Sequence, residues 1–367
     1  VKTTRRYKMT QAFDESFLFD PTSDIIYPGC VLKGGTIANG TYAIITSHET
    51  GDVTFSINLS PANPQEARET SATVHNIRKS EYQEVWNKWA NMQWKESPIT
   101  TIESVEKINS QEELATKLGV AVNSPVANGS LIFGFIFNKK KNHILARLIQ
   151  KYFSVSTDAP KKGNIFESID KDALDGYQPV YISNINYGRI IYLSVESDED
   201  EKVVDEAINF AMNQIKGVDV SVSADQSLHY RKVLANCDIR ITILGGGQTI
   251  QKEVLKGDID SFQKFLNADI PMEQMSPISF SLRYALDNSQ ARVVTSNEFT
   301  VTQRDFVPEF KKVRMQLQVL GFSGTNTGPF PNLDREAGLW GSISLSLNGQ
   351  DNELVKISQA NPFYFSY

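Results

Sequence analysis

Apolar and polar residues alternate over several short segments of the chain, a spacing that is typical of strands. Residues 53–59 alternate strictly, which predicts a strand with one buried face. Strands are also expected at 190–195, 239–244, 278–282 and 291–294. β-structure is therefore predicted in both halves of the chain.

Two segments carry apolar residues at helical spacing instead. In residues 81–95, four apolar side chains fall on one side of a helix: Val85, Trp86, Trp89 and Met92. Aromatic residues three positions apart usually pack inward, so both tryptophans are expected in the core. A second helix is expected around 259–266.

The stretch from 131 to 152 fits more than one secondary structure. It opens with an aromatic run whose alternate positions are Leu131, Phe133, Phe135 and Phe137. A polar tip follows, with Lys139, Lys140 and Lys141. The next apolar residues share one helical face, namely Ile144, Leu145, Leu148, Ile149 and Tyr152, but this segment also tolerates an extended conformation. Because apolar side chains occur at both periods, the local pattern leaves the choice open.

A second ambiguous stretch follows the acidic run 198–201. Val204, Ala207, Ile208 and Ala211 mark a helical face. Downstream, Val218, Val220 and Val222 alternate with Asp219, Ser221 and Ser223. This pattern indicates a strand with one apolar and one polar face, and the polar face suits either a water-filled lumen or the solvent side of an ordinary sheet.

Composition narrows the class of protein. The chain has 367 residues, of which 40% are hydrophobic and 22% charged, and its mean hydropathy is -0.30. No apolar stretch approaches the roughly 20 residues of a membrane helix, so we expect a water-soluble chain. The net charge is -6 and basic residues form no stripe, which argues against a nucleic-acid partner. The first residue is not Met, so a leader segment is expected to have been cleaved or to lie outside this sequence.

The search for catalytic and cofactor motifs finds none, so we expect neither an enzyme nor a bound cofactor or metal. The four histidines lack a second ligand at zinc spacing, and the glycines at 245–247 lack the lysine of a phosphate-binding loop. The acidic run 198–201 suits a solvated loop better than a calcium site. Cys30 and Cys237 are too few for a disulfide framework.

A series of short motifs follows one another along the chain: Tyr27-Pro28-Gly29, Ser56-Ile57-Asn58-Leu59, Val85 to Trp89, Lys151 to Pro160, Tyr181 to Arg189, Ile243 to Gly246, Pro277 to Phe280 and Leu286 to Asn288. In this order, the motifs resemble those of the thiol-activated, or cholesterol-dependent, cytolysins. Each match is short, but their shared order and spacing over residues 27–305 make coincidence improbable.

The resemblance implies an α+β fold with a central twisted antiparallel sheet flanked by two helical clusters, near 117–155 and 198–238. Residues 1–305 would form this cytolysin-like core, and 306–367 a small C-terminal β element. In the family, soluble monomers form a homo-oligomeric ring on a target membrane. Each cluster then becomes a transmembrane β-hairpin of one large barrel. The protein is therefore expected to be a pore-forming toxin that is secreted or anchored to the cell surface.

The resemblance also assigns roles to the ambiguous residues. Nine residues would insert into the membrane: Leu131, Phe133, Phe135, Phe137, Ile144, Leu148, Val218, Val220 and Val222. Lys139, Lys140 and Lys141 would form a hairpin tip, and Gly245 and Gly246 a hinge. Each set also has a structural alternative: a buried strand or helix core for the aromatic run, a half-buried strand for the valines, and plain turns for the lysines and glycines. Tyr187, Gly188 and Arg189 form a family motif for which a structural role is favoured.

The sequence departs from the family at its C-terminal end. Only about 60 residues follow Asp305, where the family has a module of on the order of 100 residues, and the Trp-rich loop has no counterpart. Cholesterol binding is therefore not expected. The position of a family aromatic that stacks between subunits is taken by Ile239. Membrane delivery through a partner, a lipid anchor or another receptor is expected instead. The partner could be a second cytolysin-like chain, and assembly could need proteolytic removal of an inhibitory segment, for which 306–367 is the candidate. The alternative is a non-lytic adhesion module on the same scaffold.

Overall fold

The computed structural model describes residues 2–19, 25–122, 124, 135, 137, 141–215, 218, 221–245, 270–304, 341–347 and 350–357. The chain divides into two compact units, Val1–Phe306 and Val307–Tyr367. The strands are β1 (Lys2–Phe13), β2 (Ser16–Phe17), β3 (Val31–Lys33), β4 (His48–Thr50), β5 (Asp52–Ile57), β6 (Ser71–His75), β7 (Thr100–Lys107), β8 (Asn142–Thr157), β9 (Phe166–Ile169), β10 (Pro179–Ser197), β11 (Asp238–Leu244), β12 (Ser276–Tyr284), β13 (Gln290–Ala291), β14 (Val293–Arg304), β15 (Gly341–Leu347) and β16 (Gln350–Ile357). The helices are α1 (Lys79–Ala90), α2 (Gln111–Leu118), α3 (Glu201–Ile215) and α4 (Ala224–Ala235).

The first unit is organised around an antiparallel sheet of ten described strands, whose main path is β13–β12–β10–β8–β5–β6. Strand β10, 19 residues long, lies at its centre. One edge of β10 pairs with β3 near its start and with β8 over the rest, and the other pairs with β12 near its start and with β11 near its end. Because β7 pairs with the first half of β8, this end of the sheet has the order β7–β8–β10–β11. The predicted α+β fold with a central antiparallel sheet is confirmed.

The aromatic core lies where α1 crosses the other end of the sheet. Trp89 is fully buried, and its ring centroid lies 5.9 Å from that of Phe55 on β5. Trp86 is partly buried and stacks on Tyr187 of β10 at 4.6 Å. The prediction that both tryptophans face the core is confirmed. The helix ends at Ala90 rather than at residue 95, because Trp94 forms a bridge with Pro61.

Residues 144–152 are a strand, so the helical interpretation of this segment is wrong, and so is the part of the first predicted helical cluster that extended over it. They lie in β8, which is paired on both sides, with β10 and with β7. Both faces of β8 are covered by other elements, which accounts for apolar residues at odd and even positions alike. The predicted helix at 259–266 lies outside the described residues.

Two smaller sheets complete the first unit, and a third lies in the second unit. β1 and β14 form a long antiparallel ribbon, in which Lys2 lies opposite Arg304 and Phe13 opposite Val293. β4 pairs with β9. In the second unit, β15 and β16 form an antiparallel hairpin.

Candidate functional site

Four neighbouring strands of the central sheet, β7, β8, β10 and β11, each have one terminus at the same end of the sheet. We call this end, where the strands start or finish, the root edge. β7 ends at Lys107, which lies opposite Ile144 of β8. β10 ends at Ser197, opposite Asn142, the first residue of β8. β11 begins at the same level with Asp238. The alternation of direction in an antiparallel sheet therefore places both hairpin openings on one side.

Each of the two hairpins is interrupted by a long segment at the root edge. The chain leaves β7 and returns as β8 after residues 108–141, which we call the first insert. It leaves β10 and returns as β11 after residues 198–237, the second insert. Both inserts therefore start and finish at the same edge of the same sheet.

The second insert covers one face of the sheet. Four buried residues of α3 recur at helical spacing and give this helix an apolar stripe toward the sheet: Val204, Ala207, Ile208 and Met212. With Val233 of α4, they form one cluster with Ile144, Ala146 and Leu148 of β8 and Ile191 and Val195 of β10. The helices of this insert thus bury the apolar side chains of the strands from which it emerges.

The first insert covers the opposite face. Leu114, Ala115 and Leu118 of α2 and Phe135 form one cluster with Leu145 and Ile149 of β8 and Ile190 and Tyr192 of β10. Ser110 caps α2 by accepting a hydrogen bond from the Glu113 backbone N–H at 3.2 Å. Gly119 ends the helix with φ +76. The sheet is therefore held between two segments that belong to its own hairpins.

Helix α2 is also attached to the β1–β14 ribbon. The side-chain amide of Asn297 donates to Thr116 Oγ1 at 2.6 Å, and Thr295 Oγ1 donates to the Thr116 carbonyl at 3.2 Å. Thr295 is buried and Thr116 is fully buried. Movement of α2 away from the sheet would break both hydrogen bonds.

The predicted insertion residues of the first insert are only partly described: Leu131, Phe133, Lys139 and Lys140 lie outside the described residues. Phe135 is 1% exposed, and its ring lies edge-on to the buried His143 ring at 5.8 Å. Phe137 is half-buried, with its ring centroid 5.1 Å from that of His143. Lys141 Nζ donates to Asp238 Oδ2 at 2.8 Å, so Lys141 lies at the root edge and not at the predicted hairpin tip. Phe135 and Phe137 are thus packed beneath the sheet at the root edge.

Ile144 and Leu148 need a correction, because both lie inside the sheet rather than in an insert. Ile144 lies between Lys107 and Val195, and Leu148 between Glu103 and Ile191. Their side chains face the second insert. Since both residues are already paired on either side, they are not part of a segment that would unfold.

The described residues of the valine pattern in the second insert lie outside any strand. Val218 is 51% exposed, and residues 221–223 lie between α3 and α4 outside any helix or strand. Val222 is half-buried, and Val220 lies outside the described residues. Ser223 instead caps α4, accepting a hydrogen bond from the Gln226 backbone N–H at 3.2 Å. The alternating segment therefore has no strand partner among the described residues.

Two glycines lie near the point along β10 at which its neighbouring strand changes from β12 to β11. Gly188 lies at a β-bulge opposite Lys151, and a Cβ there would lie 1.9 Å from the Gln150 carbonyl oxygen. Gly245 follows β11 with φ +81, and a Cβ there would lie 2.5 Å from the Gly188 carbonyl oxygen. Only glycine fits this close approach. Gly246, the other predicted hinge residue, lies outside the described residues.

The rest of the family motif is buried. Tyr187 stacks against both Trp86 and Phe153, and its hydroxyl lies 2.6 Å from that of Tyr82. Burial raises the pKa of Tyr187, so the phenol stays neutral. Arg189 is fully buried and donates to the Gln150 side chain. These contacts support the structural role that the sequence favours for the motif.

Sequence reasoning missed two parts of this site. Helix α2 was not predicted as a separate element, although Ser110 and Glu113 have the spacing of a capping box before an apolar run. The ion pairs at the root edge were not predicted either. They join residues about 90 or more positions apart in the chain, so no local pattern reports them.

Two further features that bear on function are metal sites and membrane-spanning helices. Among the described residues, no group of three or more His, Cys, Asp or Glu side chains is arranged to hold a metal ion. Within the same residues, no helix has both the length and the apolar character needed to cross a bilayer.

Solved structures with this fold are toxins of the cytolysin class. The fold matches the human-specific toxin intermedilysin with a TM-score of 0.63 at 23% identity, over 82% of this chain and 65% of that one. It matches wild-type pneumolysin with a TM-score of 0.64 at 20% identity, over the same shares. A non-hemolytic pneumolysin from Streptococcus pneumoniae has the same fold, with a TM-score of 0.64 at 20% identity, over 82% of this chain and 66% of that one.

The chain belongs to the thiol-activated cytolysin family, whose family model matches residues 1–306. Sequence relatives include tetanolysin of Clostridium tetani, 24% identical over 78% of this chain and 55% of tetanolysin. Perfringolysin O of Clostridium perfringens is 23% identical over 88% of this chain and 65% of its own length. Pneumolysin of Streptococcus pneumoniae is 27% identical over 54% of this chain and 43% of its own length. The chain thus spans roughly half to two thirds of the length of these relatives. Membership of this toxin family is consistent with the expectation that the protein is not an enzyme.

Proposed function

We propose that this protein is a pore-forming toxin whose monomers assemble into a ring on a target membrane. Within the ring, the first insert (108–141) and the second insert (198–237) of each monomer leave the sheet and become transmembrane β-hairpins. The first hairpin continues β7 and β8, and the second continues β10 and β11. The hairpins of all monomers together close one large barrel.

The root edge is the observation that carries this proposal. Both inserts enter and leave the sheet at adjacent strand ends, so an extended insert continues an existing hairpin without changing strand order. Both inserts also cover apolar faces of β8 and β10, the two central strands of the four. Release of the inserts would therefore expose a continuous apolar sheet with extended arms.

The inserts are long enough to cross a bilayer. A transmembrane strand needs about 9–11 residues, and each insert exceeds two such strands and a turn. A lone hairpin in lipid leaves backbone amides unpaired, whereas a closed barrel pairs all of them. This requirement favours a homo-oligomeric ring over insertion of single monomers.

The outer strands of the four-stranded region supply the surfaces for assembly. Among the described residues, β7 pairs only with β8, and β11 only with β10. Unpaired strand edges are templates for pairing with another chain. In the ring, β7 of one monomer would pair with β11 of the next.

Dye release tests pore formation directly. Liposomes of varied lipid composition are loaded with dye and mixed with the full chain, with and without limited proteolysis, and rings are counted by electron microscopy. We expect leakage and rings under at least one condition. Their absence under every condition would favour the non-lytic adhesion module.

A disulfide lock tests whether α2 must leave its place. Thr116→Cys with Asn297→Cys joins α2 to the ribbon, in a Cys237→Ser background that avoids exchange with this half-buried thiol. We expect leakage to be lost in the oxidised protein and restored by reducing agent. The single variant Thr116→Cys, which cannot form this disulfide, is the control. Undiminished leakage from the oxidised protein would contradict the proposal.

A non-lytic adhesion module is the second candidate. It is favoured by the fold match to a non-hemolytic pneumolysin, because the same fold occurs in a protein whose name excludes hemolysis. In this case the protein would bind a cell surface with both inserts in place. Binding to liposomes or cells with α2 protected from hydrogen exchange would support it.

The second unit, Val307–Tyr367, is the proposed site of control. We infer that membrane delivery depends on a second cytolysin-like chain or on removal of this unit by proteolysis. A secreted or surface-anchored protein suits both routes. Leakage that appears only after cleavage near residue 306 would support control by proteolysis.

A further inference from the structure

We propose that the two inserts are coupled by ion pairs across the root edge, so that the second insert opens readily only when the first has opened. This inference concerns the regulation of the proposed pore former and rests on that function for its biological meaning. The coupling itself is a property of the monomer in solution, where it can be measured without a membrane.

Lys107 contacts both inserts from the end of β7. Its ammonium forms an ion pair with Glu201, the first residue of α3 in the second insert. Its carbonyl oxygen accepts a hydrogen bond from Lys117 Nζ of α2, at 3.1 Å. One residue of the sheet thus links a helix on one face with a helix on the other.

The contact with α2 is part of a larger charged group. Lys117 Nζ also lies 3.0 Å from Glu106 Oε2 and 3.3 Å from Glu113 Oε1. Glu113 is buried and accepts two further hydrogen bonds, from the backbone and side-chain amides of Asn109 at 2.8 Å. Because Lys117 is held by three oxygens, α2 is firmly attached to the strand end that carries Lys107.

A second link joins the other ends of the inserts. Lys141, the last residue of the first insert, donates to Asp238, the first residue of β11, at 2.8 Å. The next residue, Asn142, donates from its side-chain amide to the Glu199 carbonyl at 2.8 Å. Lys107, Lys141 and Asn142, at the two ends of the first insert, therefore contact the second insert at its start and the strand that follows it at its end.

The residues at the ends of the two inserts that form these ion pairs carry charges of opposite sign. Lys107 and Lys141 flank the first insert, whereas residues 198–201 and Asp238 give the second insert four acids at one end and one at the other. Opening of either insert alone separates these charges. Partly exposed ion pairs change an equilibrium by up to about fivefold each, so two pairs suffice for measurable coupling.

Hydrogen exchange of the full chain in buffer, read by mass spectrometry on α3, tests the coupling. The α2–ribbon lock (Thr116→Cys with Asn297→Cys) is placed in two proteins. One keeps Lys107 and Lys141, which we call the native root, and the other carries Lys107→Gln with Lys141→Gln. With the native root, we expect oxidation of the lock to slow exchange of α3 by about two- to fivefold. With both lysines replaced, the lock should leave α3 exchange unchanged.

A charge swap gives a second, independent measurement. Lys107→Glu should speed exchange of α3 by up to about fivefold, and adding Glu201→Lys should bring it back to within about twofold of the wild type. The matched control is Lys88→Gln on α1, which removes a comparable ion pair with Glu69. This variant should leave the hydrogen exchange of α3 unchanged.

The coupling is overturned if the lock leaves α3 exchange unchanged in the native root, or if its effect survives replacement of both lysines. Failure of the charge swap to restore exchange would equally contradict it. None of these readings depends on leakage, so a protein that forms no pores and a protein with uncoupled inserts give different results.

Discussion

At the residue scale, the junction between the two ends of the sheet depends on two glycines, because glycine has no Cβ atom. Gly188 and Gly245 let three backbone segments approach more closely than any side chain allows. The bulge at Gly188 also lies where β10 exchanges β12 for β11 as its neighbour. The change in pairing along one strand is therefore fixed by glycine rather than by side-chain contacts.

Replacing Gly188 by Ala should destabilise the protein strongly. The new Cβ would lie 1.9 Å from the Gln150 carbonyl oxygen, so β8 and β10 must separate locally. We expect a loss of about 1–3 kcal/mol in the free energy of unfolding, measured by urea denaturation. Gly51→Ala, where a Cβ would meet no atom within 4 Å, is the control and should change it by less than about 0.5 kcal/mol. Equal effects of the two variants would contradict the steric explanation.

The buried thiol of Cys30 makes stability depend on pH in the alkaline range. Burial raises the pKa of Cys30 from 9.0 to about 12. The folded state therefore holds this proton more tightly, and the stabilisation is complete below pH 9 and declines between pH 9 and 12. In Cys30→Ala, we expect the decline in unfolding free energy to be shallower by up to about 1.4 kcal/mol per pH unit, measured by denaturation across this range. Parallel curves for the two proteins would exclude the thiol as the cause.

At the element scale, the two inserts differ in how their helices are fixed. α3 is stabilised by a continuous apolar stripe against the sheet. α2 is short, and its ends depend on the Ser110 cap and on Gly119. Since isolated helices of this length are marginal in water, α2 relies on its cap and on contacts with the sheet and the ribbon.

Removing the cap of α2 should loosen the first insert selectively. Ser110→Ala deletes the hydrogen bond to the Glu113 N–H, which costs about 0.5–2 kcal/mol at helix N-termini. We expect faster hydrogen exchange across 111–118, measured by mass spectrometry. The matched variant Ser223→Ala removes the cap of α4 and should speed exchange of 224–235 instead. Unchanged exchange of α2 in Ser110→Ala would show that packing alone holds this helix.

At the scale of the whole molecule, the central sheet has an edge strand, β7, that pairs only with β8 among the described residues. Ile102 of β7 is 43% exposed on that edge, although it is a large apolar residue. Exposed apolar residues on an unpaired strand favour contact with another chain. This edge is therefore the expected contact between monomers in the proposed ring.

A charge on this edge should block assembly without unfolding the monomer. We expect Ile102→Lys to reduce ring formation on liposomes at least tenfold while changing the free energy of unfolding by less than about 0.5 kcal/mol. Rings are counted by electron microscopy, and leakage should fall in parallel. Leu286→Lys, on a 53% exposed leucine in the turn after β12, is the control and should assemble normally. Normal rings from Ile102→Lys would place the monomer contact elsewhere.

The sequence by itself determined the elements with a single apolar face. The strands at 53–59 and 239–244, the stripe of α3 and the inward tryptophans follow from local spacing, because one face meets the core and the other meets water. The ordered motifs likewise identified the family before any contact was known. Such features need no information from distant parts of the chain.

The tertiary structure alone decided the identity of 144–152 and the composition of the root edge. β8 is apolar at both periods because different inserts cover its two faces, and periodicity cannot separate that case from a buried helix. Residues 218–223 alternate like a strand, yet the folded chain offers them no strand partner among its described residues. Lys107, Lys141 and their acidic partners meet only after the sheet has brought the four strand ends together, so their pairing is a product of the fold.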